Sequence, residues 1–180
     1  MTSIGFGTWA WGNKLLWGYR LNQQDDVLQN TFNEAVNQGL KFIDTADSYG
    51  IGNLNGRSEE LLGKFFKKLP PSKHKEFIVA TKLAPYPWRL GRNGFKPAFK
   101  ASKARLKGKL DRVQLHWSTS RYAAWQEVQL IDGLADKLKS DIIEHKNYIG
   151  GRYSVLSEVG MLPAELLLSL IHISEPTRPY

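Results

Sequence analysis

Three short, largely apolar runs each close on a side chain that can carry or move a proton. Lys41-Phe42-Ile43 ends in Asp44, Phe77-Ile78-Val79-Ala80-Thr81 ends in Lys82, and Val113-Gln114-Leu115 ends in His116. Between and before these runs the apolar residues recur at helical spacing. Asp25 to Gln38 reads as a helix with Val27, Leu28, Phe32, Ala35 and Val36 on one side and Gly39 as its stop. Ser58 is expected to cap a helix through Lys68, with Glu59 and Glu60 in its first turn, lysines in its last, and Pro70-Pro71 ending it. A third helix is predicted near residues 94–108 and a fourth over Ala123 to Lys139, while Ile4 to Trp9 and Leu40 to Asp44 read as the first and second strands. Strand and helix thus alternate four times, which predicts an α/β class with parallel pairing. The apolar strands further predict a sheet covered on both faces. A doubly wound sheet and a segment of an eight-fold barrel both satisfy this pattern.

Parallel strands place all their carboxyl ends on one side, where open sheets and barrels both carry chemistry. Tyr49 follows Asp44 by five residues, on the loop leaving that same side. An acid, an amine, an imidazole and a phenol are therefore expected to meet at one mouth. Taken singly, each has a plain structural use: a loop cap for Asp44, snorkelling for Lys82, a satisfied semi-buried ring for His116. Taken together, they suit proton donation to a developing alkoxide, because an ammonium beside the phenol stabilises the phenolate left behind.

The charge is unevenly spread. Residues 61–110 hold fourteen Lys and Arg against the single Glu76, a local charge of +13 in a chain of net +8. Lys96, Lys100, Lys103 and Lys107 recur at helical spacing and read as one solvated helix face. No nucleic-acid partner is expected. The chain has no cysteine and no long uncharged apolar run, so disulfides, thiolate metal sites and a membrane span are not expected. The start lacks the basic and apolar regions of a secretory signal. The four histidines, His74, His116, His145 and His172, show no i, i+4 pair, and no metal site is expected. The glycine patterns Gly5 to Ala10 and Gly50 to Gly56 are read as turns rather than dinucleotide fingerprints, since no helix opens directly at either; after the first, the next helix is expected near Asp25.

The stretch Phe42-Ile43-Asp44-Thr45-Ala46-Asp47-Ser48-Tyr49-Gly50 resembles the signature of the aldo-keto reductases. Gly5-Phe6-Gly7-Thr8-Trp9, Ala80-Thr81-Lys82 and Leu115-His116-Trp117 match the same family in the same order. The similarity covers residues 4 to about 139. It is strongest to the plant and cyanobacterial pyridoxal reductase branch, through Gly5 to Asn13, Leu15 to Tyr19, Tyr86-Pro87-Trp88-Arg89-Leu90 and Gln114 to Thr119.

The resemblance implies an NADPH-dependent carbonyl reductase, with the small-molecule aldehyde pyridoxal reduced to pyridoxine, on a (β/α)8 TIM barrel. Carried over by position, Tyr49 is the proton donor, Lys82 and Asp44 assist it, and His116 orients the carbonyl. Gly7, Thr8, Trp9 and Asp44 lie near the nicotinamide. Trp9, Trp11 and Trp117 line the substrate mouth, with core or rim packing the plain alternative for Trp9 and Trp11. The family also implies a monomer, in the cytoplasm or the plastid stroma, and not secreted. A general small-aldehyde reductase and an NADPH-binding accessory subunit of a channel are the alternatives it leaves open.

The 180 residues fall below the ~250 typical of such a barrel. Residues 1–139 read as the first four β/α units, an incomplete barrel holding the catalytic residues but lacking most of the cofactor site. Residues 140–167 lack the family's fifth strand and read as divergent or frameshifted. Residues 168–180, beginning Leu168-Ser169-Leu170-Ile171-His172, resemble translated sequencing adapter and read as a non-native tail. The chain alone is therefore expected to be inactive.

Overall fold

A computed structural model describes residues 5–139, which belong to one compact unit, Ser3–Ser140. The divergent segment 140–167 and the adapter-like tail 168–180 lie outside the described residues. Four strands, β1 (Gly5–Gly7), β2 (Phe42–Asp44), β3 (Ile78–Leu83) and β4 (Arg112–Leu115), form one sheet in the order β1-β2-β3-β4. Every neighbouring pair is parallel. The class is α/β, and four consecutive parallel units laid side by side make part of a barrel rather than a doubly wound sheet, which would reverse its strand order.

The helices are α1 (Lys14–Trp17), α2 (Asp25–Asn37), α3 (Arg57–Lys68), α4 (Pro71–His74), α5 (Lys96–Arg105) and α6 (Ser120–Leu138). The four long helices predicted from periodicity are α2, α3, α5 and α6. The short α1 sits between the first glycine pair and Asp25, where no helix is expected from sequence. Asn13 explains it locally: its side chain accepts from Leu16 N at 3.0 Å, while Gly18 closes the turn in the left-handed region. The Gly50–Gly56 loop is a turn, as expected, with a 3-10 segment at Gly52–Leu54.

The cap of α3 differs from the sequence expectation. Gly56, at φ +82°, occupies the N-cap, and Ser58 lies inside the first turn. The Ser58 hydroxyl is buried, 2.6 Å from Thr8 Oγ1 and 3.0 Å from Thr45 Oγ1, so it ties the helix to β1 and β2 instead of capping its own amides. The other end follows the rule: Leu69 is extended ahead of Pro70, as a residue before proline must be. His74 Nε2 lies 2.9 Å from the carbonyl of Phe66, which also accepts from Leu69 N at 2.9 Å.

Only one face of the sheet is packed by helices among the described residues. Ile43, Val79 and Thr81 are buried beneath α2 and α3, together with Phe32, Leu61, Leu62, Phe65 and Phe66. Of the residues on the opposite face, Ala80 is buried, but Asp44, Ile78, Lys82 and Gln114 are half-buried or exposed, with Ile78 at 38%. The expectation of two covered faces is thus corrected for this segment. In a barrel the helices coat the outer face alone, and the inner face is covered only by strands across the barrel. Each fully buried Phe or Leu of the outer core stabilises the fold by about 1.5–3 kcal/mol. The lysines at 96, 100, 103 and 107 are all exposed, the solvated face their spacing predicts.

One charged pair lies within this core. The Glu59 side chain is wholly buried, accepting from Thr81 Oγ1 at 2.5 Å and from Arg105 Nε at 2.7 Å. Burial pushes its carboxyl above the usual range, against the opposing pull of Arg105 and Thr81. The pair joins α3 to α5 across the end of β3, and its removal is treated in the Discussion.

Candidate active site

Strand register brings the ionisable residues together. Asp44 pairs with Ala80, and Lys82 stands two residues further along β3, on the same face. Lys82 pairs in turn with Gln114, two residues before His116, so His116 continues that face beyond β4. The His116 amide donates to Leu83 O at 3.0 Å, which prolongs the β3–β4 ladder by one bond.

Lys82 Nζ donates to Asp44 Oδ2, to Tyr49 Oη at 3.1 Å and to Thr45 O at 3.2 Å. All three ammonium hydrogens are thereby directed. The Tyr49 ring meets the His116 ring edge-on, with centroids 5.6 Å apart. The four residues singled out from sequence therefore converge on one patch.

The chain leaves Tyr49 through Gly50 at φ +98°. A Cβ there would stand 1.9 Å from Leu54 O, so only glycine allows the loop to fold back so closely on itself. Gly56 N closes the loop by donating to Tyr49 O at 3.0 Å.

Burial holds the His116 imidazole below its ordinary value, and the Lys82 ammonium pushes in the same direction; Asp47 and Asp44 oppose them. The ring is neutral near pH 7. The consequence for stability has a definite sign. The unfolded chain takes up the proton first as pH falls below the ordinary value of 6.5, so the native state loses stability from there downward. Denaturant melts at about pH 7.5 and about pH 5 are expected to show a loss on acidification that is smaller in His116→Gln. An equal loss in both proteins would show that His116 does not carry it.

The remaining candidates are distributed differently. Gly7 pairs with Asp44, and a Cβ at Gly7 would meet nothing within 4 Å, so open space adjoins the carboxylate. Thr8 is fully buried; its amide and hydroxyl both donate to Asp44 O, at 3.0 and 3.1 Å. Trp9 is 54% exposed and packs edge-on against Trp17, while Trp117 is 40% exposed and lies 5.0 Å from the His116 ring centroid. Trp11 is only 6% exposed and packs between Phe6 and Phe65, which places it in the core rather than at the mouth.

Sequence reasoning assigned no role to the buried Asp47. Its Oδ1 accepts from Ala84 N at 3.1 Å and its Oδ2 from Arg89 Nη1 at 2.6 Å. Arg89 also donates to Ala84 O and stacks over Tyr86, which stacks on Trp88 at 4.6 Å. The 84–95 loop is thus clamped to the loop that follows β2, and it presents Tyr86 edge-on to Trp117. A second acid three residues after Asp44 and an arginine inside an aromatic loop were the available signals. Ser48, whose Oγ lies 2.8 Å from His116 Nδ1, was missed as well.

Comparison with known proteins bears on the family and the fold. The model of the "Aldo/keto reductase family" matches residues 3–141. The chain is 51% identical over 146 residues to "Pyridoxal reductase, chloroplastic" of Arabidopsis thaliana, covering 79% of this chain and 40% of that protein. It is 37% identical over 82 residues to the "NADH-specific methylglyoxal reductase" of Escherichia coli, covering 46% of this chain and 22% of that one. The chain thus spans less than half the length of these curated relatives. Among solved structures, a thermostable aldo-keto reductase in complex with the inhibitor epalrestat superposes with a TM-score of 0.60 at 22% identity, over 77% of this chain and 46% of its own. An aldo-keto reductase complexed with NADPH superposes at 0.53 and 18% identity, over 76% and 40%. At these identities the structures speak for the fold, the (β/α)8 barrel of which four strands are described here. With the family model running through all four strands and over every residue of the convergent patch, the chain belongs to the aldo/keto reductase family of oxidoreductases.

Proposed function

We propose that Asp44, Tyr49, Lys82 and His116 form the catalytic centre of an NADPH-dependent carbonyl reductase acting on pyridoxal. The observation that carries the reading is the Lys82 ammonium, shared between Asp44 and the Tyr49 hydroxyl. When bound, NADPH supplies a hydride to the carbonyl carbon. Tyr49 gives its hydroxyl proton to the carbonyl oxygen, and Lys82, held by Asp44, stabilises the phenolate that remains. His116, neutral and seated against the Tyr49 ring, orients that oxygen. The open space at Gly7 beside Asp44 suits a flat ring, so Gly7, Trp9 and Asp44 flank the nicotinamide. Thr8 contributes through its grip on the Asp44 main chain.

Pyridoxal as substrate is supported by the 51% identity to the Arabidopsis protein, and that protein's chloroplastic name favours the plastid stroma over the cytosol. Trp117 and the Tyr86–Trp88 stack add a flat apolar wall beside His116, apt for a pyridine ring. The test is coenzyme consumption with pyridoxal, and formation of pyridoxine, by a polypeptide of full family length bearing these residues. Preference for NADH would overturn the coenzyme assignment. Turnover of methylglyoxal without turnover of pyridoxal would move the substrate to the small aldehydes.

A further inference from the structure

We propose that Ser48 is a positioning residue that sets the tautomer of His116: its hydroxyl donates to Nδ1, so the ring hydrogen resides on Nε2, free to point at a carbonyl oxygen. The functional use of that hydrogen rests on the reductase reading above; the pairing itself rests on geometry.

Ser48 Oγ and His116 Nδ1 are 2.8 Å apart, although 68 residues separate them in sequence. Among the described residues neither side chain has another hydrogen-bond partner. A neutral imidazole has one nitrogen that donates and one that accepts, and the partner of one nitrogen decides the state of the other. If Nδ1 carried the hydrogen, it would donate to Ser48 Oγ and leave the half-buried hydroxyl hydrogen without an acceptor. If the hydroxyl donates instead, its hydrogen is used and the hydrogen left over is Nε2–H. Each arrangement leaves one hydrogen over, and only the second leaves it on the ring nitrogen turned away from Ser48, where a carbonyl oxygen can accept it; the first would offer that oxygen a lone pair.

The pairing is also held from both sides. Asp47, next to Ser48, donates its amide to Lys82 O at 2.9 Å and accepts from Ala84 N through its side chain. His116 donates its amide to Leu83 O. The end of β3 thus anchors both partners, His116 at Leu83 and Ser48, through Asp47, at Lys82 and Ala84. On the other side of Ser48, Tyr49 N donates to Ala46 O at 3.2 Å. The same short loop therefore carries the phenol and the group that orients the imidazole. A positioned proton donor and a positioned imidazole share one backbone anchor.

Imidazole tautomers can be read directly by long-range proton–nitrogen NMR on the 15N-labelled 180-residue chain, with His116→Gln identifying the resonances. The expected spectrum shows His116 protonated on Nε2 near pH 7. Ser48→Ala is expected to shift it toward a mixture of tautomers, and Ser48→Thr, which keeps the hydroxyl, to restore it. A merely structural serine would move neither. An Nδ1–H ring in the unsubstituted chain overturns the proposal whether or not any variant folds. So does an unchanged Nε2–H ring in Ser48→Ala with native circular dichroism. In a polypeptide of full family length, Ser48→Ala is expected to lower kcat about tenfold, with Ser48→Thr recovering it. An Nε2–H ring in a protein that reduces no aldehyde supports the pairing and sinks the reductase reading. Turnover with an Nδ1–H ring does the reverse.

Discussion

Replacing Tyr49 by phenylalanine is expected to lower kcat for pyridoxal reduction by about 100- to 10,000-fold, with KM little changed, in a polypeptide of full family length. The substitution removes one oxygen and keeps the ring. Lys82 retains Asp44 and Thr45 O as acceptors, so the ammonium stays in place and no buried charge is stranded. The edge-on contact with His116 needs only the ring and persists. What disappears is the sole hydroxyl within hydrogen-bonding distance of Lys82 Nζ among the described residues, and with it the proton that must reach the carbonyl oxygen. Steady-state kinetics check the split: a fall in kcat alone marks a contribution made in the transition state. Activity surviving the change within a factor of a few would remove Tyr49 from the chemistry.

The largest effect on stability is expected at Arg105. Arg105→Met should lower the free energy of unfolding by about 3–5 kcal/mol, because it leaves the wholly buried Glu59 carboxylate with no cation. The hydroxyls of Thr81 and Ser102 remain, and neutral hydrogen bonds do not replace an ion pair at that depth. The double variant Arg105→Met with Glu59→Gln should recover part of the loss, since no charge then remains to be buried. Urea melts at constant pH give both numbers. A loss below about 1 kcal/mol in the single variant would mean that water reaches Glu59. Arg105 also explains Gly56: a Cβ at that helix cap would stand 2.5 Å from the guanidinium Nε.

Both predictions depend on residues whose partners lie 22 to 46 positions away. That separation marks what could be read from the chain alone. The apolar runs and their terminal ionisable residues place Asp44, Lys82 and His116 at one side of a parallel sheet, because strand direction and alternation follow from local pattern. Helices α2, α3, α5 and α6 follow likewise from periodicity, and the stop before Pro70 from the steric demand of proline. The family motif adds Tyr49.

Other features needed the register between segments. Ser58 has the composition of a cap, yet its hydroxyl faces Thr8 and Thr45, because α3 crosses the ends of β1 and β2 there. Trp11 lies two residues from the exposed Trp9 and yet sits in the core, since the turn after Thr8 directs it onto Phe65. Asp47 reads as one more acid in a polar loop until Arg89 and Ala84 meet it. Local sequence thus determined which chemical groups exist and on which side of the sheet they emerge, because propensity, capping and strand alternation act over a few residues. Tertiary structure decided which of those groups touch, as with Ser48 and His116, because such contacts depend on strand register and loop return, which no short stretch of chain encodes by itself.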